Sequence, residues 1–140
     1  MTVQGVQTQN MGEKKTYPPL PDGEYSVRFS RFLGHKKTEK GDGEIINVSY
    51  QVTDGENKNR IVWDSFLISH PNKEASGIAL KNLDNLMKSM GIYGGFEAIG
   101  NDSSKLEEFE GREFIVEVKT EIPKNPKYKP RNKVVSYIRK

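Results

Sequence analysis

Residues 122–140 read IPKNPKYKPRNKVVSYIRK and hold Lys124, Lys127, Lys129, Arg131, Lys133, Arg139 and Lys140 without a single acid. The formal charge of this segment is +7 in a chain whose total is +3, so residues 1–121 sum to −4. Tyr128 stands between Lys127 and Lys129. Spaced cations with a flat ring among them suit a single nucleic-acid strand, because the cations neutralise phosphates and the ring stacks on a base. A solvated basic tail has the same composition, so charge alone does not decide.

Other residues could take part in the same chemistry. Lys36, Lys37 and Lys40 lie in a second polar, basic stretch, His35–Gly43, and Arg60 follows a turn. Trp63 is the sole tryptophan. Trp63, Tyr50 and Phe66 sit in alternating strand patterns and read either as core or as platforms for bases. Phe32 falls on the polar side of the first strand beside the basic stretch, which makes it a candidate exposed ring. The candidate DNA-binding set is therefore Lys36, Lys37, Lys40, Arg60, Lys124, Lys127, Lys129 and Arg131 for phosphates, with Phe32, Tyr50, Trp63 and Tyr128 for bases.

Catalytic chemistry finds little footing. Asp42, Glu44, Asp54 and Asp64 match no metal-loop spacing. Asp64 would repel phosphate, or accept a hydrogen bond from a base, if it faced a groove. His35 and His70 are far apart in the sequence and both fall in expected loops, where a solvated histidine is the default. Neither GxxxxGK[ST] nor GxSxG occurs, and there is no cysteine for a disulfide or a thiolate site. No enzyme activity, metal or cofactor is expected. No apolar run approaches the length of a membrane span.

The elements that must position these residues follow from patterning. Residues 1–17 are polar and aperiodic and read as a flexible N-terminal arm. Pro18, Pro19 and Pro21 favour an extended entry. Glu24–Gly34 alternates, with Tyr25, Val27, Phe29 and Leu33 on one face. Glu44–Thr53 sets Ile46, Val48, Tyr50 and Val52 against Asn47, Ser49 and Gln51. Arg60–Ile68 is apolar on both faces, so its second face must be covered by a helix or used. A helix follows over 72–91, with Asn72 as a possible cap, a stripe of Ala79, Leu83, Leu86, Met87 and Met90, and Gly91 at its end. A short helical turn is expected over 103–109. Arg112–Glu121 is a fourth strand with Phe114, Val116 and Val118 inward. Ile122–Arg131 holds three prolines and must be a loop. Asn132–Arg139 closes the set as a fifth strand.

This β-β-β-α-β-β order is that of the five-stranded OB-fold barrel, all-β with one helix; an α+β sheet carrying one helix is the alternative. OB-folds bind oligonucleotides on the strand 2–3 face between the loops joining strands 1–2 and 4–5. The two basic stretches fall on those two loops. One domain over 18–140, preceded by the arm 1–17, is the expected organisation.

The elements PDGEYSVRF, NVSYQVTDG, RIVWDSFLI, ALKNLDNLMKSMGI, LEEFEGREFIVEVK and NKVVSYI resemble a phage-borne family of small uncharacterised domains read as single-stranded DNA-binding proteins. The resemblance implies an OB-like fold over about residues 18–138 and a role with single-stranded DNA in replication or recombination. Its compartment would be the cytoplasm, the host's where the chain is phage-encoded. Single-strand binders of this type often end in an acidic tail that recruits partners. This chain ends Tyr137-Ile138-Arg139-Lys140, so recruitment by that route is not expected. The rival expectation is an interaction module for replication or recombination proteins, or a homo-oligomer, built on the two-faced third strand. Nothing in the sequence reads a 2′-hydroxyl, so DNA and RNA are not separated.

Overall fold

A computed structural model describes residues 18–140, and the expected N-terminal arm lies outside these described residues. Five strands form one antiparallel sheet in the order β3-β2-β1-β4-β5. They are β1 (Gly23–Lys37), β2 (Glu44–Val52), β3 (Ile61–Ser69), β4 (Glu113–Glu121) and β5 (Arg131–Ile138). Helix α1 (Lys73–Ser89) lies between β3 and β4, and two 3₁₀ segments, Gly95–Ile99 and Ser103–Phe109, follow it. The sheet is open. β3 and β5 are its edges, and no hydrogen-bonded ladder joins them as the expected barrel would require.

Alternation sets the core. Val27 and Phe29, Ile46, Val48, Tyr50 and Val52, Val62 and Phe66, and Phe114, Val116 and Val118 face inward from the first four strands and are buried. Leu83, Leu86 and Met87 of α1 and Met90 at its C-cap join this core, as do Leu20, Ile99 and Leu106. The Tyr50 ring meets Phe29 and Phe114 edge-on, at 6.2 and 5.2 Å between centroids. Edge-to-face contact places the positive rim of one ring on the negative face of the next.

Helix α1 begins and ends where the sequence indicated. The Asn72 carboxamide oxygen accepts from the N–H groups of Glu74 and Ala75, satisfying two donors of the first turn. At the other end Gly91 takes φ +88°, and the Ile92 N–H bonds back to the Met87 carbonyl at 2.9 Å. This left-handed closure needs a residue without a Cβ.

β1 departs from simple alternation. Its pairing with β2 slips between Phe29 and Arg31 and again between Phe32 and Gly34, two β-bulges. Each bulge inserts an extra residue and reverses which side chains face inward. Phe32 therefore pairs with Val48 and packs against the core, while Leu33, expected inward, is 44 % exposed. β1 also continues through Lys37, three residues past the expected end at Gly34. The turn that follows closes on Gly43, whose hypothetical Cβ would lie 2.6 Å from the Ser69 carbonyl oxygen. Only glycine lets the β1–β2 turn lie this close to the end of β3.

Candidate nucleic-acid interface

The outer face of β1–β2–β3 is built in rows across the sheet. Arg31 pairs with Ser49, which pairs with Trp63. Arg28 pairs with Gln51, which pairs with Ile61. Lys36 pairs with Ile45, which pairs with Leu67. Trp63 is 65 % exposed although it sits in the middle of a strand. Ser49 is buried at 3 % between its two large cross-strand neighbours, Arg31 and Trp63. The Arg28 guanidinium donates to the Gln51 carboxamide oxygen, which holds that arginine against the sheet.

Beside Trp63, the sheet edge opens into a cleft of about 690 Å³ between β3, β5 and the first turns of α1. Trp63, Ile61 and Ile78 give it an apolar rim, and Arg131 and Lys133 stand on the β5 side. The inner wall of the cleft is a polar bridge. Asp64 Oδ2 accepts from the hydroxyls of Tyr50 and Tyr137, and Oδ1 accepts the Ser65 N–H. Burial raises the Asp64 carboxyl above its usual range, although the tyrosine and backbone hydrogen bonds pull the other way. Burial, and then the Asp64 charge, push both tyrosine hydroxyls up. With Phe66 and Tyr137 in ring contact, this bridge ties β3 to β5 by side chains where the backbones do not pair. Asp64 therefore turns inward rather than toward a groove.

The candidate residues divide. Trp63 and Tyr128 are exposed, at 65 % and 64 %. Tyr50 is fully buried and leaves the set, since a ring enclosed by Phe29 and Phe114 has no face to offer a base. Phe32 also leaves the exposed set, because the bulges turn it to the core side. Lys36 and Lys37 are successive strand residues rather than loop residues, so they point to opposite faces and only Lys36 shares the face of Trp63. Lys40 lies in the turn after them. Arg60 is half-buried, and its guanidinium donates to the Pro18 carbonyl. Arg131 opens β5 and is bound to Glu121, with Nη2 at 3.0 Å. Among the described residues no ion pair reaches Lys36, Lys40, Lys124, Lys127 or Lys129.

The loop carrying Lys124, Lys127, Tyr128 and Lys129 is held by Asn125. Its carboxamide accepts the Lys127 N–H, and its carbonyl accepts the Tyr128 N–H. Short Asn-based turns of this kind hold a loop without a strand ladder. Pro130 and Arg131, at its end, share a depression with Trp63, Ile61 and Arg60. The Lys36–Lys40 end and the Arg131 end thus flank β3 from opposite directions. From Ile61 to Leu67 the span is about 20 Å at strand rise.

Arg28 and Arg31 were not among the predicted contacts. Arg28 was legible as an outward residue, but its nearness to Trp63 depends on strand order. Arg31 faces outward only because of the bulge. Among the described residues no three His, Asp or Glu side chains are grouped to hold a metal. What the face presents is a ring, apolar rim contacts and cations.

Residues 6–138 match the family described as protein of unknown function (DUF669). The chain belongs to this family. The DUF669 match takes in all five strands and the helix, and it begins ahead of Pro18. No curated protein matches the chain. No helix among the described residues is long and apolar enough to cross a membrane.

Proposed function

We propose that this protein binds single-stranded DNA with little sequence preference, in phage-type replication or recombination. The observation that carries this reading is Trp63, an exposed ring within β3 on a sheet face that has Lys36 toward one end and Arg131, which follows the Lys124–Lys129 loop, toward the other. A stacked base gains about 1–3 kcal/mol from such a platform whatever its identity, which suits binding without sequence readout. The sheet order and the side-chain bridge from Asp64 to Tyr137 support reading the fold as an OB-type barrel that closes through side chains. On that reading, the face bearing Trp63 is the one such barrels use.

Anisotropy of a fluorescein-labelled oligo(dT), titrated at about 50 and about 200 mM salt, tests the proposal. With about four to six phosphates neutralised, log K falls against log[salt] with a slope of roughly −3 to −4. No saturable binding at the lower salt would end it. Equal affinity for a duplex of the same length would reduce the protein to a generic cation.

A second reading rests on Ile61, Trp63 and Ile78, three exposed apolar side chains lining one cleft. Apolar patches of this kind also serve protein partners. A stable complex with a replication or recombination protein, formed while oligo(dT) fails to bind, would favour it.

A further inference from the structure

One row of the outer face sets a ring, a small residue and an arginine side by side. Trp63 on β3, Ser49 on β2 and Arg31 on β1 are successive cross-strand partners. Trp63 and Arg31 are exposed, and Ser49 between them is buried. Neighbouring strands lie about 4.8 Å apart, so the backbones at the two ends of the row are roughly 10 Å apart. Both end residues carry long side chains that finish in a plane, an indole and a guanidinium. A β-bulge puts the arginine there. Without the extra residue between Phe29 and Arg31, Ser30 would oppose Ser49 and Arg31 would point to the core side.

Arg31 is also uncommitted. Arg28, in the next row, donates its guanidinium to Gln51. Among the described residues no hydrogen bond, ion pair or ring contact reaches the Arg31 side chain. The Ser49 hydroxyl, though buried, likewise has no hydrogen-bond partner among the described residues. A buried hydroxyl without a partner costs free energy that a ligand's hydrogen bond would recover.

We infer that Trp63 and Arg31 sandwich one nucleobase of the bound strand above Ser49, a reading that rests on the function proposed above and deepens it. Arg31 then acts through its plane and not as one more phosphate contact. A base held between two planes needs about 7 Å between them, two stacking steps of about 3.4 Å. Side chains rising from backbones roughly 10 Å apart reach that separation by leaning toward each other. Guanidinium planes stack on bases as aromatic rings do, whereas an ammonium group has no plane to offer. The base edge that meets the floor brings a carbonyl or ring nitrogen to the Ser49 hydroxyl. Every base has a face to stack, so the sandwich suits binding with little sequence preference.

The test uses the full chain with Arg31→Lys, which keeps the charge and removes the plane. Labelled oligo(dT) and an abasic strand of the same length, a sugar-phosphate backbone without bases, are titrated over a salt series. Arg31→Lys should weaken oligo(dT) binding by about 5-fold or more at every salt concentration, with the salt slope unchanged. On the abasic strand the variant and the wild type should bind alike. In a Trp63→Ala background the loss from Arg31→Lys should shrink, because one wall of the sandwich is already gone. Wild-type affinity for oligo(dT) in Arg31→Lys overturns the sandwich and leaves the proposed function standing. An equal loss on both strands also overturns it, because Arg31 would then grip phosphates through its fork of donors. So does a loss that is the same with and without Trp63, since Arg31 would then meet a different base. No binding by the wild-type chain removes the sandwich and the proposed function together.

Discussion

Trp63 and Tyr50 lie on neighbouring strands, one pairing step apart, and have opposite surroundings. Trp63 pairs with Ser49 on the outer face, and Tyr50 pairs with Val62 on the inner face. One ring is 65 % exposed and the other is enclosed at 0 %. The side chain alone does not determine this, since both are large amphipathic rings in strands of similar composition. Parity along the strand does, because successive residues point to opposite sides of the sheet. The inner face is then satisfied completely. Tyr50 finds Phe29, Phe114 and the Asp64 carboxylate. The outer face keeps its ring uncovered, and among the described residues no ion pair reaches Lys36 on that same face. A residue spent on stability and a residue available for a ligand can therefore sit side by side in one ladder.

The comparison breaks most readily at the core. Tyr50→Ala should cost about 3–5 kcal/mol of folding stability, as for large aromatic truncations in cores, read from urea unfolding. Trp63→Ala should stay within about 0.5 kcal/mol of the wild type in the same assay. Equal destabilisation by the two would mean that Trp63 is a core residue.

In binding the order reverses. Trp63→Ala should lose about 1–3 kcal/mol of oligo(dT) affinity at every salt concentration, measured by anisotropy. Replacing Lys124, Lys127 and Lys129 together by alanine should act differently. It should make the salt slope shallower by about 2, for three phosphates, with the loss largest at low salt. A uniform loss across the salt series would show that these lysines act through the shape of the loop instead.

A smaller effect tests the inner face. The folded-state carboxyl of Asp64 is raised, so the folded protein holds this proton more tightly than the unfolded chain does. The contribution of Asp64 is fully present below the unfolded carboxylate range and is lost as pH rises through the folded value. Asp64→Asn does not titrate. The stability of the wild type relative to Asp64→Asn should therefore fall as pH rises from acid toward neutral, in urea titrations at each pH. A difference that grows in the opposite direction would contradict a burial-dominated Asp64.

Much of the fold was legible because it depends on local pattern. The strand 2 and strand 4 alternations, the Asn72 cap and the Gly91 terminus each involve a few adjacent residues, and all are as expected. The bulges in β1 were not legible. Ser30 and Leu33 look like ordinary strand residues, and only the partner strand reveals that they are extra. That one feature misplaced Phe32 and hid Arg31. Tyr50 was ambiguous because a tyrosine suits a core with a partner and a surface alike, and its partner Asp64 is on another strand. The open edge between β3 and β5 was equally unreadable, since closure depends on the path of both edge strands and on the Leu20 backbone, which bonds Asn132 at the start of β5.

The most direct test of the central claim uses the protein's own fluorescence. Trp63 is the sole tryptophan, so emission excited at the indole band reports this one site. Saturating oligo(dT) at low salt should quench that emission in step with the anisotropy of the labelled strand, and added salt should restore it. Binding of the labelled strand with unaltered Trp63 emission would contradict the account, because the DNA would then lie elsewhere on the protein.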